Sequence, residues 1–148
     1  MRRKGKSKVW SVIGVVVGLI VVLLAGALLF TSKERREAGA LPIAVVDFNK
    51  LDDGTYVGEY AGGMYRMRAT KVEVTLSSGK VTEIKLLKGA MDKEGQPAVL
   101  AKGLSIHDLF GRVIESQSLQ VDTISGATLT SKAHLKAVEN ALEQAQAK

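Results

Sequence analysis

The chain has 148 residues, a net charge of +6 and no cysteine. That length holds one domain beside a membrane-type segment. The missing thiol excludes disulfide frameworks, thiol redox chemistry, Cys-ligated zinc or iron–sulfur sites and a lipidated N-terminal cysteine. The charge is unevenly spread: residues 1–40 carry 8 Lys/Arg against 2 Asp/Glu, and residues 41–148 carry 13 of each. A neutral C-terminal part without a basic cluster offers no electrostatic footprint to a phosphate backbone, so no nucleic-acid partner is expected.

Residues 1–8 form a basic tail with Arg2, Arg3, Lys4, Lys6 and Lys8. From Val9 to Phe30 no residue is charged. A helix of about 22 residues spans roughly 33 Å, enough for a hydrocarbon core. Soluble helices keep a polar stripe, which this segment lacks. A secretory apolar core is shorter, about 7–15 residues. The small-residue triplets Ala25-Gly26-Ala27 and Ala38-Gly39-Ala40 are poorly placed for cleavage, the first inside the apolar run and the second beyond a charged stretch. An uncleaved transmembrane helix over 9–30 is therefore expected. Five basic residues precede it and three follow (Lys33, Arg35, Arg36), which predicts a cytoplasmic N-terminus and an extracytoplasmic C-terminal domain.

Residues 31–50 read as a stalk and linker, charged at first and punctuated by Pro42. The domain proper is expected over 51–148. Ile43 to Phe48 is either a first strand or the lead-in to the domain. Asp52-Asp53-Gly54 is a turn signal before the strand-like Thr55–Tyr60, which Gly62-Gly63 interrupts. From Thr70, Val72, Val74 and Leu76 alternate with Lys71, Glu73 and Thr75, the period of a half-buried strand. Ser77-Ser78-Gly79-Lys80 turns the chain back into Val81–Lys88, with Ile84 and Leu86 inward. Val81 is out of phase with Ile84, which predicts a bulge. Gly89–Lys102 reads as a loop. Ile106, Leu109, Phe110, Val113 and Ile114 fall on one helical face, with Ser105 as its N-cap. A second helix, from about Thr130 or Ser131, lines up Leu135, Val138, Leu142 and Ala145. No metal centre is expected from His107 and His134, neither of which sits near a paired carboxylate motif.

Between the two helices stands Val121-Asp122-Thr123-Ile124-Ser125-Gly126-Ala127-Thr128-Leu129-Thr130-Ser131. Small residues here permit close backbone approach, and hydroxyls crowd the stretch at Ser125, Thr128, Thr130 and Ser131. The N–H groups and dipole of the following helix would favour an anion. The plain reading of such a string is a turn with Thr130 or Ser131 as helix cap.

The context goes further. Ser116 to Leu142, SQSLQVDTISGATLTSKAHLKAVENAL, resembles the signature of the FMN-binding domain family, which includes flavin subunits of sodium-pumping NADH:quinone oxidoreductases and Rnf-type electron-transport complexes. Asp53 to Glu59 is similar to that family's opening D-G-x-Y-x-G element, and Val72 to Leu87 to its central hairpin. The resemblance implies that a flavin transferase moves FMN from FAD onto the last threonine of D-x-x-S/T-G-A-T as a phosphoester. Carried over, Thr128 is the attachment site for covalent FMN. Asp122 is the acidic residue read by the transferase or placed near its metal, and Ser125, Gly126 and Ala127 shape the loop and contact the phosphate. Tyr60, Met64, Tyr65 and Met67 are candidates for lining the flavin ring, although packing is the commoner role of such residues. His107 is read as a surface residue.

The expected architecture is α+β: a small antiparallel sheet with two packed helices, preceded by one N-terminal transmembrane helix. The expected function is that of a membrane-anchored extracytoplasmic electron carrier with covalent FMN. It would be matured by a flavin transferase and would work between a membrane electron donor and an external electron acceptor. It would not be a stand-alone enzyme. The alternatives are a subunit of a larger membrane reductase and a flavin-free envelope scaffold.

Overall fold

The computed structural model describes residues 6–63, 66 and 68–146. Met64, Tyr65 and Met67, named above for the flavin ring, and Arg2, Arg3 and Lys4 of the basic tail lie outside the described residues. The chain divides into two compact units, Met1–Arg35 and Arg36–Lys148. The first is occupied by most of helix α1 (Lys6–Gly39), whose stretch Trp10–Leu29 has a mean hydropathy of 3.1 and no buried share. Among the described residues it is the one helix long and apolar enough to cross a membrane, and it is a candidate single span.

The second unit is α+β. Strands β1 (Gly54–Tyr60), β2 (Thr70–Ser77) and β3 (Lys80–Lys88) form an antiparallel sheet in that order. A two-strand ladder, β4 (Val99–Ala101) with β5 (Leu104–Ser105), leads into α2 (Ile106–Ser116), and α3 (Thr128–Ala145) follows. The expected strand alternation is present: Val72, Val74 and Leu76 are buried while Lys71, Glu73 and Thr75 are half-buried. Burial of each such side chain contributes about 1.5–3 kcal/mol. The bulge also lies where the parity broke. Leu76 pairs with Val81 and Thr75 with Glu83, so Thr82 is the extra residue and both Val81 and Ile84 reach the core.

Ser105 caps α2 as expected, in a box with Asp108. The carboxyl of Asp108 is held below its usual range, chiefly by the backbone N–H of Ser105. Ile106, Leu109, Phe110 and Val113 are buried, and Ile114 is half-buried.

Of the two readings of residues 43–48, the structure takes the lead-in: the Ala44 N–H donates to Glu139 at 3.2 Å, Val46 and Leu51 enter the core, and Asp47 caps a 3-10 turn at Phe48–Lys50. Two expectations need correction. The loop over 89–102 contains β4, whose pairing with β5 is too short to leave a periodic pattern in the sequence. The last helix starts at Thr128, and neither Thr130 nor Ser131 caps it. Its N-cap is Ala127, with no side-chain cap bond, because the hydroxyl of Ser131 is turned back into the preceding loop.

What holds the layers together is a close approach of β1 to α3. A Cβ added at Gly58 would run into the carbonyl oxygen of Ala137 and lie 2.9 Å from the Ala141 Cβ. Ala133, Ala137, Ala141 and Ala145 are all buried, so the helix presents its small side to the sheet. Gly58→Ala should therefore destabilise the domain by about 1–3 kcal/mol or more, the cost of overpacking. Urea unfolding of the full chain in detergent would measure it, and an unchanged midpoint would contradict the packing.

Candidate functional site

The segment that leads to α3 is built from a buried anchor and a tight turn. Ile124 is buried, and its carbonyl accepts the Ala127 N–H at 2.8 Å. Gly126 occupies the third position of that turn with φ of +89°, the conformation that favours glycine there. A Cβ at Gly126 would also meet the Ala101 Cβ at 3.3 Å, so β4 backs the turn. The hydroxyl of Ser131, fully buried, accepts the Ile124 N–H at 3.1 Å and donates to the Ala127 carbonyl at 2.9 Å. Ser131 thus ties the turn to the helix.

The candidate residues sort by exposure. Thr128 is exposed and is the first residue of α3. Ser125 and Gly126 are exposed and Ala127 is half-buried. Helix geometry leaves the first N–H groups of α3 without intrahelical acceptors, and no side chain caps them. The helix dipole adds partial positive charge at the same end. An anion esterified to the Thr128 oxygen would stand beside that end, so the residues present fit a phosphoryl group.

Asp122 stands apart. Its carboxylate is exposed, and its backbone carbonyl accepts a hydrogen bond from Nη1 of Arg112 on α2. The side chain lies between two shallow clefts, one shared with Arg112 and Glu115, the other with Lys132 and Ile43. Among the described residues the carboxylate takes no part in holding this backbone.

Sequence reasoning missed two buried polar groups on α3. His134 lies on the apolar face expected for the helix, one residue before Leu135, and the 3.6-residue period could have found it. Its Nδ1 donates to the Thr130 carbonyl at 2.7 Å and its Nε2 accepts the Ala90 N–H at 3.3 Å, the arrangement of a neutral imidazole. Phe110 packs 6.3 Å away, ring centre to ring centre. Glu139, also buried, pairs with Lys136 at 2.7 Å and accepts the Ala44 N–H. The same period places it on the apolar face, four residues after Leu135 and three before Leu142. The backbone donor that holds it there lies 95 residues earlier and leaves no local signal.

A cavity of about 210 Å³ opens beside the first turn of α3, lined by Arg68, Ala69, Gly89, Ala90, Leu100, Thr130 and His134. A larger cleft of about 530 Å³ lies between β3 and α2. No residue of the motif or of α3 lines it, whereas Thr130 and His134 of α3 line the smaller cavity. Tyr60 is half-buried and packs against the core, and His107 is exposed in the first turn of α2, as expected for it.

The sequence model of the FMN-binding domain family matches residues 67–143, just over half of the chain. The chain belongs to the FMN-binding domain family. The matched span takes in the hairpin, α2, the turn and nearly all of α3, so the geometry above is the family's own region. Membership makes this a flavin-binding protein with FMN as its cofactor. No solved structure matches the chain.

Burial holds the pKa of His134 below its ordinary 6.5, against the opposing pull of the Thr130 carbonyl. The folded state then binds fewer protons than the unfolded chain once pH drops below about 6.5, so stability falls with acidity. Unfolding midpoints taken at about pH 7.5 and about pH 5.5 should show this loss in the native chain. His134→Gln, weaker at neutral pH because the ring is gone, should show less of it. Parallel losses in both proteins would refute the neutral burial of His134.

Proposed function

We propose that this protein is a membrane-anchored, extracytoplasmic flavoprotein electron carrier that holds FMN through a phosphoester on Thr128. The observation that carries the reading is the coincidence of an exposed hydroxyl with an uncapped helix N-terminus at Thr128, inside the matched region of an FMN-binding family. A covalent tether suits a compartment where a dissociated cofactor would be lost. Bound FMN supplies one- and two-electron exchange.

The protein's own residues do the holding. Thr128 provides the ester oxygen, the first N–H groups of α3 face the phosphoryl charge, and Ser131 and Gly126 keep the turn in the shape that exposes Thr128. A flavin transferase would be the maturation partner. The electron donor would sit in the membrane and the acceptor outside it, with α1 crossing the lipid bilayer over its apolar stretch Trp10–Leu29. The excess of basic residues before the span supports an outward-facing C-terminal domain.

Co-expression with a flavin transferase should yield a chain heavier by one FMN residue and a fluorescent band that survives denaturation. Thr128→Ala should abolish both and leave unfolding nearly unchanged, since exposed substitutions of this kind alter stability by about 0.5 kcal/mol or less. Flavin that persists on Thr128→Ala, or a mass increment that maps to Ser125 or Thr130, would refute the attachment site.

Asp122→Ala tests recognition separately. The carboxylate makes no structural bond among the described residues, so the variant should fold and load poorly; normal loading would remove Asp122 from the recognition surface. For topology, a reporter fused after Lys148 should be active in its extracytoplasmic form only, and activity confined to the cytoplasm would reverse the assignment.

A further inference from the structure

Resting on covalent FMN at Thr128, we propose that Lys132 is a latch between the end of α1 and the start of α3, and that loading the cofactor opens it. The structure shows the latch closed. Lys132 Nζ donates to the carbonyl of Gly39, the last residue of α1, at 2.6 Å. A Cβ built on Gly39 would lie 3.7 Å from Leu129 Cδ2, so this end of α1 rests on the first turn of α3. Both partners belong to the second compact unit, Arg36–Lys148. The last carbonyls of a helix have no intrahelical donors, and a lysine there both supplies one and meets the negative end of the dipole. The Ala40 N–H, which donates to the Arg36 carbonyl at 2.9 Å, closes the turn that Lys132 thereby holds.

Thr128 stands four residues before Lys132, and residues four apart share one face of a helix. Long side chains on a helix point back toward its N-terminus. Lys132 does so here, since the Gly39 carbonyl that it holds belongs to a residue packed beside Leu129. Its ammonium is therefore within reach of a group on the Thr128 oxygen. Loading joins that oxygen to the FMN phosphorus of FAD. AMP and the hydroxyl proton leave, and the phosphodiester formed carries one negative charge. An ammonium placed between a neutral carbonyl and that anion goes to the anion, because two full charges attract more strongly than a charge and a dipole. Gly39 then loses its donor and the last turn of α1 frays. Ile43 and Ala44 stay fastened, the first through its carbonyl to Gln120 Nε2 at 3.3 Å, the second through its N–H to Glu139. The freedom gained falls on Ala40-Leu41-Pro42, which becomes a hinge between α1 and the domain. A carrier that has received its flavin thus gains the swing needed to meet a donor and an acceptor in turn.

The test is hydrogen exchange at the Gly39 and Ala40 amides, read by mass spectrometry on the full chain in detergent, made with and without a co-expressed flavin transferase. Intact mass reports loading. The loaded native chain should exchange there about 2–10-fold faster than the unloaded one, the factor for one ordinary hydrogen bond, while the amides of β2 keep their rates. Unloaded Lys132→Gln should already exchange at the faster rate, and loading should add nothing to it. Thr128→Ala, co-expressed with the transferase, should stay as slow as the unloaded native chain. Equal rates in loaded and unloaded native protein, slow exchange in unloaded Lys132→Gln, or a rise on loading Lys132→Gln as large as the native one would each overturn the proposal. If Lys132→Gln does not fold, the loaded and unloaded native chains decide it. A native chain that takes up no covalent FMN fails the parent reading and this one with it; a loaded chain with unmoved exchange fails this one alone.

Discussion

The architecture depends on one close contact, the passage of α3 across β1 at Gly58. With no side chain at that position, the strand backbone lies against the backbone of α3 near Ala137 and Ala141. This proximity lets long polar side chains of the helix reach the edge of the sheet: Asn140 donates to the Glu59 carbonyl at 2.8 Å and Gln144 to the Val57 carbonyl at 2.9 Å. The D-G-x-Y-x-G string gains a physical meaning from the same geometry. Its last glycine makes room for α3, and its aspartate, Asp53, accepts the N–H groups of Ser78 and Gly79, which ties the start of β1 to the β2–β3 turn.

A three-stranded sheet exposes two edges with unpaired backbone groups, a standing invitation to pairing with another chain. Here side-chain amides take part of both edges. Asn140 and Gln144 cover β1, while Gln117, in a left-handed conformation at the end of α2, both accepts the Val81 N–H and donates to the Val81 carbonyl, each at 2.9 Å. Gln117 thus imitates a strand residue at the bulge, the weakest part of the β3 edge. These amides cap part of each edge from within the domain.

The features readable in the sequence were those set by a repeating pattern or a local signal. The β2–β3 hairpin, its bulge at Val81, the apolar face of α2 and the Ser105 cap follow from period-two and period-3.6 burial and from capping chemistry. The unreadable features were set by contacts distant in sequence. Residues 43–48 could be read as a strand or as the lead-in to the domain, and the choice is made by Glu139 and the core, which draw them onto α3. Thr130 and Ser131 satisfy every local rule for a helix cap. The turn closed by Ile124 and Ala127 moves the helix start forward to Thr128, and Ser131 then serves the turn from inside the helix. At the site, the motif stretch was visible as a string, whereas the cavity that Arg68, Ala90, Leu100 and His134 create is assembled from separate segments and leaves no linear trace.

The same shift in helix start supports the proposed attachment at Thr128 over the hydroxyls of Ser125, Thr130 and Ser131. Ser131 is buried and both of its hydrogen-bonding roles are filled. Thr130 is half-buried and lines the cavity, whereas Thr128 is exposed. Ser125 is exposed but lies in the turn, ahead of the helix, so a phosphoryl group there would lack the converging N–H groups of a helix start. Thr128 combines access with those N–H groups. Had the helix begun at Thr130 or Ser131, as local capping rules suggest, Thr128 would have been one more loop hydroxyl with nothing to set it apart. The small residues before it, Gly126 and Ala127, matter because they let the turn close without a competing side-chain cap at Ala127. A Ser or Asp at that position would bond the free N–H groups itself and cancel the feature that favours a phosphoryl anion.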